Sequence, residues 1–582
     1  MRLRPLGALG AAVAAQLLLA GSAGADTLFL QGRMGGRVTL EITERYDPAP
    51  GTSWISLRSH RTPSFGSTTW RQTVVSEEVT YSVDPAQAAV SPDESGNRVL
   101  TERWEQPRTP ITIVRKIQVD TEATLGPLQS RAPFPPGQLA PEVARFLRAT
   151  AMTQAQDPKI QGLARRLVSG AKTERQAVTA ILNHVVDTLA YQYDPPAHDA
   201  LGALERRFGN CQGFSHLSIA LLRAAGIPAR LTVGISLAKG WRVTHPDGTL
   251  TFKMGQGRHA WIEVYYPDLG WIPYDPQSSH LFVSIYHVRQ AVGLDVTDVV
   301  GMITAMPTLP GMQDTINGDG LNESIAVRTV STARTPHNYV VSPDVRDAVV
   351  VVTPPPPVTP PPVTPPPPVT PPPAVTPPPT VTPPPGPPPI RRQDLTRLVE
   401  FGNLEFPASL RIFGSVEVTG GVVQSRRTFI VETADYATGR EELAQAFSTD
   451  RPLILGRLSL ALQKFGGSTG ELWIELFEAA GRKPGARLAE SRRLPVAGLI
   501  ERGGYRWVVF DFAPGDQAPL LGPGRYWAVL RSTGDGIFNW YFSLGNAYGD
   551  PDDTRSRPRG ASDWSNILNY RFNFRVTGLV KP

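Results

Sequence analysis

The 582-residue sequence predicts a multidomain chain in which an α+β core lies between an N-terminal all-β domain and a C-terminal β-sandwich of jelly-roll type. Three observations predict it. Apolar and polar residues alternate from Asp26 to about Leu128; helical periodicity followed by strands fills 139–300; and a proline-rich stretch over 353–389 separates these from a second set of short alternating segments over 390–582. A chain of this length also exceeds what one hydrophobic core organises.

The first 25 residues, MRLRPLGALGAAVAAQLLLAGSAGA, have Arg2 and Arg4, an apolar stretch over 6–20, and Ala23-Gly24-Ala25. That order predicts a signal peptide over 1–25 and a mature chain from about Asp26. The apolar stretch falls short of the roughly 20 residues of a spanning helix, and no later run is long enough. The expectation is an exported protein, periplasmic or extracellular at the cell surface, with no transmembrane segment in the mature chain. The N-terminal β domain, 26–130, rests on RVTLEITERY, TTWRQTVVSEEVTYSV and TPITIVRKIQVD.

The core, 139–300, follows the proline-rich joint APFPPGQLAP. PEVARFLRAT, PKIQGLARRLV and TERQAVTAILNHVVDTLAYQ carry helical spacing, the last starting at Thr173-Glu174. After a turn at Gly209-Asn210, CQGFSHLSIALLRAAG reads as a helix with Leu217, Leu221 and Leu222 on one buried face, stopped by Gly226 and Pro228. Then the period changes to that of strands: ARLTVGISL, a loop with an HPDG turn, HAWIEVYY and WIPYD. Residues 301–352 read as a tail of this catalytic region, with one strand at SIAVRTV. The repeat TPPPPVTPPPVTPPPPVTPPPAV is a polyproline II linker over 353–389, which at about 3.1 Å per residue spans on the order of 100 Å. Beyond it, RRTFIVETA, GRLSLALQKF, ELWIELFEA, YRWVVFDFA, GRYWAVLRS and FNWYFSL read as sandwich strands.

The net charge is +6, but the arginines are scattered, with no basic run or aromatic-interleaved stripe, which argues against a nucleic-acid partner. Cysteine says more. An exported protein normally pairs its cysteines, and this one has a single Cys211, which can close no internal disulfide. Alone, it would read as a small buried hydrophobe. Its surroundings point to a working thiol instead.

A thiol attacks an amide carbonyl as thiolate, and Cys211 lies in the first turn of its helix, where free N–H groups and the macrodipole favour negative charge and Asn210 can cap. The same N–H groups suit an oxyanion hole. Of nine histidines, His259 stands out: it opens HAWIEVYY, and the turn Pro267-Asp268-Leu269-Gly270 brings WIPYD back beside it. In an antiparallel hairpin centred near Asp268, the partner of His259 falls close to Asp275. One hairpin then supplies both a base and the carboxylate that orients it.

FGNCQGFSHLSIALLRAAGIPARLTVGI, GRHAWIEVYYPDLGWIPYDPQ and HVRQAVGLDVTDV resemble the bacterial transglutaminase-like family over about 139–300, with NCQGFSHL, HAWIEV and GW..YDPQ the specific parts. The resemblance implies the papain-like, transglutaminase-like fold for this stretch. It makes Cys211 the nucleophile, His259 the base and Asp275 the orienting acid, with acyl transfer to water or an amine and no cofactor. One departure is GLDVTDV, where many relatives carry an arginine and an aromatic. The C-terminal module resembles jelly-roll domains of bacterial surface proteins.

Other polar and aromatic residues read as having ordinary roles. His216 does not share the Cys211 face of its helix and reads as a packing residue. Tyr191 and Tyr193 lie upstream where an oxyanion-supporting hydroxyl could originate, with core packing preferred. No cluster has zinc spacing, so no metal is expected; Asp314, Asn317 and Asp319 in QDTINGDG lack the calcium-loop pattern and read as an exposed turn. Trp473, Trp507, Trp527 and Trp540 read as core rather than a sugar-binding surface. The expected function is a thiol enzyme acting on protein or peptide substrates, hydrolysis favoured over crosslinking, with envelope or glycan contact assigned to the C-terminal domain. The alternative is a surface adhesion or scaffold protein with a non-catalytic module.

Overall fold

The computed structural model describes residues 25–192, 195–245, 248–277, 281–335, 340–341, 391–404, 416–419, 421–426, 434–437, 441–499, 506–544, 554–564, 566–568 and 570–582. Residues 1–24, on which the signal-peptide expectation falls, Tyr193, the middle of the HPDG turn, 342–352, the proline-rich stretch and most of RRTFIVETA lie outside them.

The N-terminal region holds strands β1 (Ala25–Asp47), β2 (Trp54–His60), β3 (Trp70–Tyr81), β4 (Arg98–Glu105) and β5 (Ile111–Leu125). β5 shows why alternation is informative: every second residue from Ile111 to Leu125 is buried, Arg115 and Thr121 among them, while the residues in between are not, as the two-residue period of a half-covered sheet requires. β1 pairs along β5, and β3 pairs with β5 on its other side.

The core begins with helices α1 (Pro158–Leu167), α2 (Glu174–Thr188), α3 (Ala200–Arg206) and α4 (Cys211–Ala224). Thr173 and Gln176 close a capping box at the start of α2, and Asp157 and Asp199 cap α1 and α3, so each start is set by a side chain that accepts from an otherwise unpaired amide. α4 is buried on every side, from Cys211 to Arg223, and not only along the Leu217, Leu221 and Leu222 face. Helices α1, α2 and α3 wrap it, and its remaining side lies on a four-stranded antiparallel sheet. The sheet contains β6 (Ala229–Ser236), β9 (Gly257–Tyr266), β10 (Gly270–Tyr274) and β11 (His287–Gly293) in the order β10-β9-β6-β11. At the end of α4 the Arg223 guanidinium donates to the carbonyls of Arg148, Ala229 and Leu294, which ties the helix to both flanking segments.

Between β6 and β9 the chain makes a hairpin, β7 (Trp241–His245) and β8 (Gly248–Phe252). Its outer strand β8 pairs in parallel with Asn566–Leu568 of the C-terminal region, and Thr251 donates to Asn566 at 2.5 Å. This hairpin thereby extends a sheet of the C-terminal region.

The described residues of 301–352 do not form a tail of the core. β12 (Met302–Met306) pairs with β2, and β13 (Gly311–Thr335) pairs along nearly the whole of β1, so the described part of this stretch completes the N-terminal sheets. The Asp314–Asp319 segment is strand, not turn, and Asp314 accepts from Arg258 at 3.0 Å. In the C-terminal region two sheets share one cluster, with Leu443, Leu472 and Leu530 from one and Leu458, Phe510 and Val576 from the other. Trp527 and Trp540 are fully buried, Trp473 nearly so, and half-buried Trp507 is stacked by Arg575.

Candidate active site

Cys211 is the first residue of α4. A two-strand parallel pair, Ala190–Tyr191 against Phe208–Gly209, fixes the approach, and Gln192 donates its backbone N–H to the Gly209 carbonyl at 2.9 Å. Asn210, in extended conformation, ends that approach and caps the helix: its Oδ1 accepts from the amides of Gln212 at 3.1 Å and Gly213 at 3.4 Å. Gly209 packs closely on the helix start, where a Cβ would lie 3.1 Å from the Gly213 backbone. Cys211 is 3% exposed and packs in the main core cluster.

The facing groups come from the sheet. Ile262 pairs with Tyr274 and Tyr266 with Gly270, so the hairpin centres on Asp268; continued outward, this register sets Gln277 across from His259 and Asp275 one diagonal step away. From there Asp275 Oδ2 accepts from His259 Nε2 at 2.8 Å. Cys211 lies close enough to His259 for its side chain and charge to help raise the imidazole's pKa. All three residues foreseen from sequence therefore meet.

A fourth group was not foreseen. His287, the first residue of β11, places its Nε2 3.2 Å from the same Asp275 oxygen. Its Nδ1 lies 3.1 Å from the backbone N–H of Ser284, which can only donate, so Nδ1 accepts and the proton of the neutral ring sits on Nε2, directed at Asp275. Asp275 Oδ1 accepts from the Gln277 amide at 3.0 Å. The carboxylate thus has three donors, two imidazoles and one backbone N–H. Gly234 allows the strands carrying these rings to come together: a Cβ there would sit 1.9 Å from the Val288 carbonyl and 2.6 Å from the Trp261 ring.

These contacts set the charges. Burial alone would lower the His259 pKa, but the Asp275 charge, its hydrogen bond and the contact with Cys211 prevail and raise it to about 10. Burial would raise Asp275, and the His259 charge and both imidazole hydrogen bonds hold it well below the ordinary carboxylate range. For His287 burial dominates and lowers the pKa, which keeps that ring neutral. The cluster is thus an imidazolium–carboxylate pair buttressed by a neutral imidazole.

Among the described residues, His259, Asp275 and His287 are also a set whose ligand atoms lie within 4.8 Å of one another. A metal there would need the Nε2 lone pair of His287, yet the Ser284 amide already uses the Nδ1 lone pair and so assigns the proton to Nε2. The hydrogen bonding fits a proton network better than a cation site.

A pocket of about 600 Å³ empty volume reaches His259 between the N-terminal sheets and the core, lined also by Glu44, Ser59, Arg115, Val233, Gly234 and Arg258. His216 is fully buried, with Nδ1 donating to the His198 carbonyl at 2.6 Å and Nε2 accepting the Val296 amide, so it joins α4 to its neighbours. Tyr191 packs against the main core cluster. Among the described residues no helix is long and apolar enough to cross a membrane.

Residues 161–276 match the transglutaminase-like superfamily model. An uncharacterized protein of Mycobacterium leprae is 30% identical over 200 residues, 33% of this chain and 67% of its own length. The protein-glutamine gamma-glutamyltransferase of Pseudomonas aeruginosa is 32% identical over 127 residues, 21% of this chain and 18% of its own. An uncharacterized Bacillus subtilis protein is 35% identical over 72 residues, 12% of this chain and 10% of that one, so the chain spans small fractions of two of these relatives and two thirds of the third. Among solved structures, the periplasmic domain of TgpA from Pseudomonas aeruginosa bound to ethylmercury aligns with a TM-score of 0.21 and 21% identity, covering 43% of this chain and 90% of that domain. Through the match over 161–276 and the identity shared with these relatives, the chain belongs to the transglutaminase-like superfamily.

Proposed function

We propose that this chain is an exported thiol enzyme that cleaves protein or peptide amide bonds through Cys211, His259 and Asp275, with water favoured over an amine as acyl acceptor. The observation that carries the reading is the 2.8 Å contact from Asp275 to His259, an imidazole that the chain's single cysteine lies close enough to perturb. The proposed localisation rests on the leader sequence, and the flanking β regions are taken as an N-terminal all-β domain and a jelly-roll-like C-terminal sandwich.

In this reading the Cys211 sulfur attacks the amide carbon as thiolate, opposite an imidazolium and at the positive end of α4, both of which stabilise an anion. Asn210 already occupies the amides of Gln212 and Gly213, which leaves the Cys211 N–H as the helix donor for the oxyanion. His259 gives its Nδ1 proton to the departing amine as the C–N bond breaks, and a thioester remains. Neutral His259 then takes a proton from water, hydroxide adds to the thioester, and the acid leaves as the C–S bond breaks and the sulfur returns to thiolate. Asp275 keeps its charge throughout and holds the ring in line.

Incubation with a labelled amine and, separately, with labelled peptides tests the acceptor. Cys211-dependent peptide cleavage without amine incorporation is expected; incorporation abolished by Cys211→Ala would make the protein a crosslinker. The competing reading, an adhesion or scaffold protein, draws on the 3% exposure of Cys211. It requires that iodoacetamide label Cys211 only on denaturation, whereas the enzyme reading requires fast labelling of the folded chain near neutrality.

A further inference from the structure

We propose that His287 is a positioning residue of this site, holding Oδ2 of Asp275 by its Nε2–H so that the carboxylate offers one fixed oxygen to His259. The proposal rests on the Cys211, His259 and Asp275 reading above and adds to it a residue beyond the matched 161–276 stretch.

A carboxylate can turn about its Cβ–Cγ bond, and a single imidazole contact leaves that rotation open. Here both oxygens are held: Gln277 N–H on Oδ1 and His287 on Oδ2. His287 has its own orientation fixed twice, by the Ser284 amide at Nδ1 and by the edge of Trp261, whose ring centroid is 5.2 Å away at 82°. The groups facing its ring are Asp275, His259, Ser284 and Trp261, of which Asp275 alone accepts the Nε2 proton. His287 and Asp275 are both 0% exposed, and an imidazole serving only to fill space there would sacrifice hydration that an apolar side chain never had. The hydrogen bond to Asp275 is the return on that burial, and its effect is carried to the sulfur through His259.

The test uses the full chain and iodoacetamide, since a single cysteine makes each mass addition a report on Cys211. Labelling rates are measured from pH 6 to 8 beside thermal midpoints for wild type, His287→Gln, His287→Asn and His287→Leu, with Cys211→Ala as blank and Asp275→Asn as reference. The Gln amide reaches where Nε2 stood and can donate; the Asn amide is too short and Leu has no donor. We expect His287→Leu and His287→Asn to label roughly 10–100-fold more slowly near pH 6.5, and His287→Gln to stay within a few-fold of wild type. If Leu and Asn label like wild type while Asp275→Asn is slow, or if Gln is as slow as Asn at matched thermal midpoints, the positioning role is overturned. If Asp275→Asn itself labels like wild type, the three-residue reading falls first. Should His287→Leu fail to fold, the Gln and Asn pair still decides.

Discussion

Two carboxylates lie buried on one β-hairpin, each 0% exposed and each between two basic side chains, yet they differ in what those side chains can do. Glu263, in β9, accepts from Arg230 and Arg289, each at 2.7 Å. Asp275, just past β10, accepts from His259 and His287. Arginine keeps its charge at any working pH, so the Glu263 cluster is a static pin joining β6, β9 and β11, with Arg230 also stacked on Trp271 at 4.0 Å. Histidine gains and loses a proton, so the Asp275 cluster can move one between a sulfur and a leaving group. The same burial serves rigidity in one place and proton transfer in the other.

The largest expected effect breaks the second cluster. Asp275→Asn presents an amide N–H to two imidazoles that both donate toward it, which forces at least one ring to turn or change tautomer. Turnover of a peptide substrate is expected to drop about 10⁴-fold with the fold retained, read as kcat beside a circular dichroism melt. A variant that melts early but keeps its kcat would place Asp275 with Glu263, as structure only.

Glu263→Gln is the converse, leaving two buried guanidiniums without their counter-charge. Destabilisation of about 3–5 kcal/mol is expected from urea titration, with kcat per folded molecule little changed. The pH dependence gives a second reading. Burial alone would raise the Glu263 pKa, but the Arg230 and Arg289 charges hold it at about 2, below the ordinary value of 4.5. A depressed folded pKa contributes stability that is fully present above about 4.5 and is lost as pH falls through about 2. Glu263→Gln should flatten that acid limb. His259 has the opposite sign: its raised pKa contributes stability present below about 6.5 and lost as pH rises through about 10.

The unequal legibility of the site follows from the range of its contacts. Cys211, His259 and Asp275 could be read because a helix start and a tight hairpin are local, and the turn at 267–269 brings His259 and Asp275 together with no knowledge of the rest of the fold. His287 could not. It reaches Asp275 because β11 pairs with β6, Ser236 facing His287, and nothing within either segment announces that register. A histidine at the start of HVRQAV, a piece that carries the family resemblance, is the one signal the sequence holds. β13 was legible only over SIAVRTV, for another reason. Its sequence carries Asn-Gly and Asp-Gly pairs that read as turns, and most of its described side chains are exposed or half-buried, so apolar alternation is weak; pairing along nearly the whole of β1 overrides the local preference. The docking of Asn566–Leu568 on β8 is equally nonlocal, joining segments more than 300 residues apart, and the stretch holding β7 and β8 reads from sequence only as a loop with an HPDG turn.

The smallest expected effect sharpens the comparison with a third buried carboxylate that has neither arginine nor histidine. Glu174, at the start of α2, is 0% exposed, and neither of its oxygens has a hydrogen-bonding partner among the described residues. Burial first, and then the nearby Asp268 charge, push its pKa up to about 8, so near neutrality it is held as the uncharged acid. The sign is opposite to that of Glu263: the unfolded chain ionises near 4.5 while the folded one keeps its proton, so stability declines as pH rises from about 4.5 to about 8 and levels off above. Glu174→Gln, uncharged in both states, should match wild type near pH 4 and exceed it by a few kcal/mol at pH 8, measured by urea titration at the two pH values. Equal stability at both would mean that water or a rearranged neighbour satisfies Glu174 as an anion, and the lesson drawn from the two paired carboxylates would then rest on geometry rather than on burial.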